Sequence, residues 1–286
     1  MTLTLASNIA SVRSQRQLQQ TTSSLGKTFE RLSSGLRINS AADDPAGLAL
    51  ADNLRADARI ASVAIRNAND GLSQTQIADA ALDEIGNILQ RMAELAEQSA
   101  NGVYTNSQRS ALSSEFLALG SEIDRIAKTT EFNNVTLLSN SSSVTLQVGL
   151  DGTVNSQITI EGVLGTLDAL GLASSGSSKL TYSIIDSTTA ASQSASQNAL
   201  SAVNSAIDTL AAKRGTLGAA ESRLNSAINY LTVARENFVA ADSRIRDADI
   251  AQEVADMVRL QVLQQAGTAV LAQANLQPQV ALALLQ

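Results

Sequence analysis

The stretch that decides the fold runs from 203 to 248. Val203, Leu210, Leu217, Leu224, Leu231, Phe238 and Ile245 stand seven residues apart, and three residues after each come Ala206, Lys213, Ala220, Ala227, Ala234, Ala241 and Ala248. Large side chains at one seam position and alanine at the other form a heptad pattern whose small residues let a partner helix approach closely. An ordinary amphipathic helix drifts by about 20° per heptad and would not hold so strict a repeat for so long. Lys213 breaks the alanine series beside Gly215, so the seam is expected to loosen there.

The partner of this seam is expected in the first half of the chain. Asp44 precedes Pro45, a capping residue followed by the one best suited to a first helical position. From there Leu48, Leu54, Ile65, Leu72, Ile77, Leu82, Ile85, Leu89, Met92 and Leu95 recur at helical spacing, which predicts a helix over 44–98. Asn101-Gly102 stops it, and Leu112, Phe116, Leu119, Ile123 and Ile126 mark a second helix over 106–128.

Both ends are helical in pattern. Residues 1–36 carry the apolar series Leu5, Ile9, Val12, Leu18, Leu25, Phe29, Leu32 and Leu36, with basic residues in excess. Residues 240–259 carry five anions against three arginines. Opposite charge suits the two ends to pair with each other or with neighbouring copies, although each exposed ion pair contributes only about 0.2–1 kcal/mol. Val254, Val258, Val262, Val270 and Leu271 supply apolar positions at the C-terminal end, and 260–286 has no charged side chain. Such a stretch is expected to be buried against other protein, and the two ends, 1–36 and 260–286, are expected to be disordered in the monomer and to fold only on assembly, because ordering a residue costs about 1–2 kcal/mol of backbone entropy.

The middle differs. Val144 to Val148 alternates, Ile158-Thr159-Ile160 alternates again, and 180–185 reads as a third strand. The expected fold is therefore mainly α. Long coiled-coil helices fold back as a rod, the N- and C-termini pair, and a small β-rich insert faces outward. The expected division is a terminal coiled-coil domain (1–43 and 246–286), a helical-bundle domain (44–129 and 190–245) and the insert at 130–189.

Composition excludes much chemistry. There is no Cys, His or Trp, and only four Phe and three Tyr, so thiol nucleophiles, disulfides, His-based triads and Cys/His zinc sites are impossible. A net charge of −7 argues against nucleic-acid binding, no run of apolar residues is long enough to span a membrane, and the basic residues near the start follow the apolar ones, the wrong order for a cleaved secretory signal. Asp43-Asp44 reads as a loop and helix cap, not a catalytic pair, and Asp247, Asp249 and Glu253 as a solvated helix face, not a cation site. No phosphate-binding glycine loop is present. A carboxylate hydrolase would need two acids converging in a pocket. No catalytic residue, cofactor or metal is therefore expected. The Ser/Thr-rich run at 174–196 is a candidate for O-linked sugar.

Several long motifs carry a family resemblance. The stretch Leu32-Ser33-Ser34-Gly35-Leu36-Arg37-Ile38-Asn39-Ser40-Ala41-Ala42-Asp43-Asp44-Pro45-Ala46-Gly47 resembles the N-terminal signature of bacterial flagellin. Asn69-Asp70-Gly71-Leu72-Ser73, Glu122-Ile123-Asp124-Arg125-Ile126 and Thr130-Glu131-Phe132-Asn133 are similar to its following blocks. Ala240-Ala241-Asp242-Ser243-Arg244-Ile245-Arg246-Asp247-Ala248-Asp249 and Val270-Leu271-Ala272-Gln273-Ala274-Asn275 resemble its C-terminal ones. The opening 1–5 and the final 284–286 depart from the usual family pattern.

The resemblance implies a structural subunit that polymerises into the flagellar filament, with a hook–filament junction protein of the same superfamily as the alternative. It implies self-association through the seam Val203–Ile245 positions and through the terminal residues Leu5, Ile9, Val12, Leu25, Phe29, Leu32, Val254, Val258, Val262, Val270 and Leu271. It further implies an extracellular location reached through the flagellar secretion system, with an export chaperone, a cap protein and junction proteins as partners. Gln90, Arg91, Leu95 and Glu115 match the family positions contacted by the vertebrate flagellin-sensing Toll-like receptor.

Overall fold

The computed structural model describes residues 8–283, with side chains described through 276. Five helices carry the chain: α1 (Ile9–Ser34), α2 (Pro45–Ala100), α3 (Asn106–Thr129), α4 (Thr189–Arg246) and α5 (Ile250–Ala283). Their ends follow from local chemistry. The Asn8 side chain accepts from the Ser11 N–H at 3.0 Å to start α1, and Gly35 at φ 72° ends it, its N–H returning to the Arg31 carbonyl at 2.8 Å. Asp44 Oδ1 accepts from the N–H groups of Ala46 and Gly47 at 3.1 and 2.9 Å, so α2 begins at Pro45 as the sequence predicts. Thr105 and Gln108 cap α3 reciprocally. Asp249 Oδ1 accepts from Ala251 N at 2.9 Å to start α5. α4 begins at Thr189, one residue before the segment expected at 190–245, because Thr188 Oγ1 accepts from the Ala191 N–H at 3.2 Å and caps it there.

The chain divides into two compact units, one made of residues 1–58 and 236–286, the other of residues 59–235. In the first, α1 and α5 pack along each other in antiparallel register. The order is read from Asn8 Nδ2 on the Ala274 carbonyl (2.7 Å), Gln264 Nε2 on Thr22 Oγ1 (3.3 Å) and Arg31 Nη1 on Glu253 Oε1 (3.2 Å). Each step forward on one helix is a step back on the other.

In the second unit, Leu82, Ile85, Leu89, Met92 and Leu95 of α2, Phe116 and Ile123 of α3, and Val203, Leu210, Leu217 and Leu224 of α4 share one core. Burying each of these large side chains contributes about 1.5–3 kcal/mol. Leu231 packs on Ala61 and Ala64 in a smaller cluster.

The middle segment corrects two expectations. Two antiparallel hairpins form: β1 (Glu131–Phe132) with β2 (Val135–Thr136), and β3 (Val144–Gln147) with β4 (Gln157–Ile160) in the register Val144↔Ile160 to Gln147↔Gln157. The first turns on Asn133 and Asn134, both at positive φ (49° and 62°), the conformation a two-residue hairpin loop needs. Residues 180–185 are not a strand; only an isolated bridge joins Leu180 to Ala173. Ile184 is buried and its carbonyl accepts from the hydroxyls of Ser99 (2.8 Å) and Ser196 (3.0 Å), so serines on two helices replace a neighbouring strand. Nor is 130–189 simply a surface excursion. Leu138, Ile158, Leu167, Leu172 and Ile184 are buried in the same core as the helices.

Candidate self-association surface

The terminal pair buries one stripe and leaves others open. Thr21, Leu25 and Thr28 of α1 are buried, and Gly267 of α5 lies against Leu18, so close that an added Cβ would touch Leu18 Cδ1 at 3.4 Å. Leu32 and Leu271 are half-buried. Ile9 (57 % exposed), Val12 and Phe29 on α1 face solvent in the single chain, as do Val254, Val258 (49 %), Val262 (58 %) and Val270 on α5. Val254, Val258 and Val262 recur every fourth residue, so they line one face of α5. Leu5 lies outside the described residues.

Between α1 and α2, the loop is fastened to the segment that joins α4 to α5. Arg37 N–H donates to the Arg246 carbonyl at 2.5 Å and Arg37 Nη2 to the Ile245 carbonyl at 2.7 Å, while Ala248 N–H donates to the Gly35 carbonyl at 3.0 Å. Arg246 reaches Asp52 Oδ1 at 3.3 Å, and Arg55 reaches Asp242 Oδ2 at 3.3 Å. Asp43 accepts from the N–H and hydroxyl of Ser40 at 3.1 and 3.0 Å, and these bonds hold its carboxyl below the usual carboxylate range. The two acids of Asp43-Asp44 thus serve a turn and a helix cap. The quoted motifs 32–47 and 240–249 meet each other here.

The seam residues separate into two groups. Val203, Leu210, Leu217, Leu224 and Leu231 are buried within the second unit, whereas Phe238 and Ile245, in the first, are half-buried. Lys213, the break in the alanine series, is half-exposed, and next to it Arg214 donates to Asp79 (2.8 Å) and Asp83 (2.7 Å) of α2.

Of the four residues matched to receptor contact, Gln90, Arg91 and Glu115 are exposed, and Arg91 links α2 to α3 by donating to Glu115 at 2.9 Å and to Glu94 at 2.8 Å. Leu95 is a correction. At 1 % exposure it belongs to the core with Phe116 and Met92, because its helical position points inward, and it offers no surface to a partner.

Residue-level reading missed Arg109. It is fully buried, donating Nη1 to the Thr189 carbonyl and Nη2 to the Asn101 carbonyl, each at 2.9 Å, with no carboxylate partner among the described residues. An arginine among serines in α3 looks solvated in sequence, and no periodicity marks it out. Among the described residues, no three acidic side chains converge as a metal site and no helix is long and apolar enough to cross a membrane.

The family described as the bacterial flagellin N-terminal helical region matches residues 5–143, and the corresponding C-terminal helical region matches residues 200–285. A flagellin of Halalkalibacterium halodurans is 41 % identical over 91 % of both chains. The chain belongs to the bacterial flagellin family. Flagellin FlaB2 of Treponema pallidum is 36 % identical over 98 % of both chains, and the same figures relate this flagellin to the flagellar filament 33 kDa core protein of Treponema phagedenis. Among solved structures, a flagellar hook-associated protein of Vibrio parahaemolyticus shares the fold, with a TM-score of 0.57 and 17 % identity over 72 % of this flagellin and 99 % of that chain.

Proposed function

We infer that this flagellin is a structural subunit of the flagellar filament and polymerises through its terminal helix pair. The observation that carries this reading is the exposed apolar face of α1 and α5: Ile9, Val12 and Phe29 on one helix, Val254, Val258 and Val262 on the other. A single pair of helices cannot cover these side chains, whereas neighbouring copies in an open helical array can, since a heterologous contact that does not close generates a filament. The seam residues Val203 to Leu231 are already spent inside one chain, so their role in assembly is to stiffen the subunit.

The same reading places the polymer outside the cell, reached through the flagellar secretion system, with an export chaperone, a cap protein and junction proteins as partners, and assigns the chain no catalytic activity. The test is electron microscopy of the pure protein at high concentration. Long filaments are expected. Growth that stops at short rings would favour the hook–filament junction reading, which draws on the fold shared with the hook-associated protein.

A further inference from the structure

We propose that Asn101 is a site of intrinsic covalent modification, losing its side-chain amide by attack of the Gly102 backbone nitrogen. Of all the asparagines in the chain, only Asn101 precedes a glycine. The pair lies in the exposed turn between α2 and α3, and three features of that turn favour the reaction. The Gly102 N–H has no hydrogen-bond partner among the described residues, so nothing must be broken for the nitrogen to react. The Val103 N–H donates to Asn101 Oδ1 at 3.2 Å, which polarises the side-chain carbonyl and stabilises the oxyanion that attack at Cγ creates. Glycine also lacks the Cβ that would hinder approach of its own nitrogen.

In the step, the Gly102 N–Cγ bond forms, the Cγ–Nδ2 bond breaks and ammonia leaves with the proton from the Gly102 nitrogen. Solvent water then opens the cyclic imide at one of its two carbonyls, giving aspartate or isoaspartate. Either product places a new carboxylate in the turn whose main-chain carbonyl is held at 2.9 Å by Arg109, a buried cation that otherwise meets only carbonyl oxygens. In the isoaspartate form the backbone runs through Cγ, one carbon longer, and the former main-chain carbonyl that Arg109 holds becomes the new carboxylate. The turn is therefore a place where the age of the molecule is written into its charge.

The experiment is peptide mapping by mass spectrometry of the full chain after incubation in mildly alkaline buffer, natively folded and urea-unfolded side by side. The expected result is that Asn101 gains the mass of OH in place of NH2 ahead of every other asparagine, at least as fast in the folded as in the unfolded protein. Gly102→Ala should abolish the conversion; its Cβ would stand 2.8 Å from Gln193 Nε2, a flexible amide that can swing aside. Circular dichroism of the variant checks that it remains folded. An Asn101 that stays an amide in the folded protein while the unfolded chain converts would overturn the proposal. So would a Gly102→Ala variant that converts as fast as the parent.

Discussion

Leu146 of β3 occupies the space in which residue 71 of α2 would carry a Cβ, so the hairpin lies on the helix through a contact that only Gly71 permits. Gly71→Ala must push that leucine aside and is expected to destabilise the fold by about 1–3 kcal/mol, the usual range for overpacking. Gly215 and Gly218 of α4 are the opposite case, with no atom near enough to meet a Cβ. Replacing either by alanine in mid-helix is expected to stabilise by about 0.5–1 kcal/mol. Thermal melts of the three variants check both signs, and a Gly71→Ala melt at or above the parent's would refute the contact.

The seam predicts a gradient. Leu224→Ala and Leu231→Ala remove fully enclosed side chains and should each cost about 2–5 kcal/mol in denaturant unfolding. Phe238→Ala removes a half-buried ring and should cost less than Leu224→Ala in the isolated chain. Equal losses at 224 and 238 would show that the seam does not loosen toward the end of α4.

Val258→Gln with Val262→Gln alters two positions of α5 that are exposed in the single chain. The monomer's melting temperature should stay unchanged while polymerisation, followed by light scattering, is lost. Amide exchange at 9–34 and 260–276 should slow markedly on assembly. Filaments grown normally by the double variant would remove α5 from the contact surface.

The Asp43 carboxyl is held low by the Ser40 N–H and hydroxyl. A folded value below the unfolded one means that the turn's bonds are at full strength above the unfolded value and are lost as pH falls through the folded one. An NMR titration of Asp43 should therefore show a midpoint below that of an unfolded peptide, and Ser40→Ala should raise it. A midpoint at the ordinary carboxylate value in the parent protein would contradict the turn geometry.

Receptor recognition by the monomer is expected to run through Gln90, Arg91 and Glu115. Arg91→Ala alone should lower activation of the Toll-like receptor in a reporter-cell assay. Leu95→Ala is unsuitable as a test, since it opens a core cavity worth about 2–5 kcal/mol and would lower activity through unfolding. Full signalling by Arg91→Ala would sink this assignment.

The long helices were legible because their determinants are local or periodic. The Val203 to Leu231 repeat, the Asp44-Pro45 start and the Asn101-Gly102 stop all act within a few residues of where they stand. Other features depend on distant partners. The 180–185 segment alternates like a strand, but Ser99 and Ser196 take the hydrogen bonds that a strand would have made. The β1–β2 hairpin has only two residues per strand, too few for a pattern, and its one signal was Asn133-Asn134. Leu95 shows how a resemblance can name a position without its depth. In the sequence the apolar stripes of the two ends were plain, but their split into covered and open faces depends on the register of α1 against α5.

That register has a consequence for chain length. Asn8 answers Ala274, Thr22 answers Gln264 and Arg31 answers Glu253, so the helices are matched residue for residue. Deleting one residue from α1 would rotate everything before or after it by about 100° and carry Thr21 or Leu25 away from α5. A deletion in α5 would turn only α5, so the face of α1 is restored only by an insertion within α1 itself. The turn at 149–156 carries no such obligation, and length variation should be admitted there first.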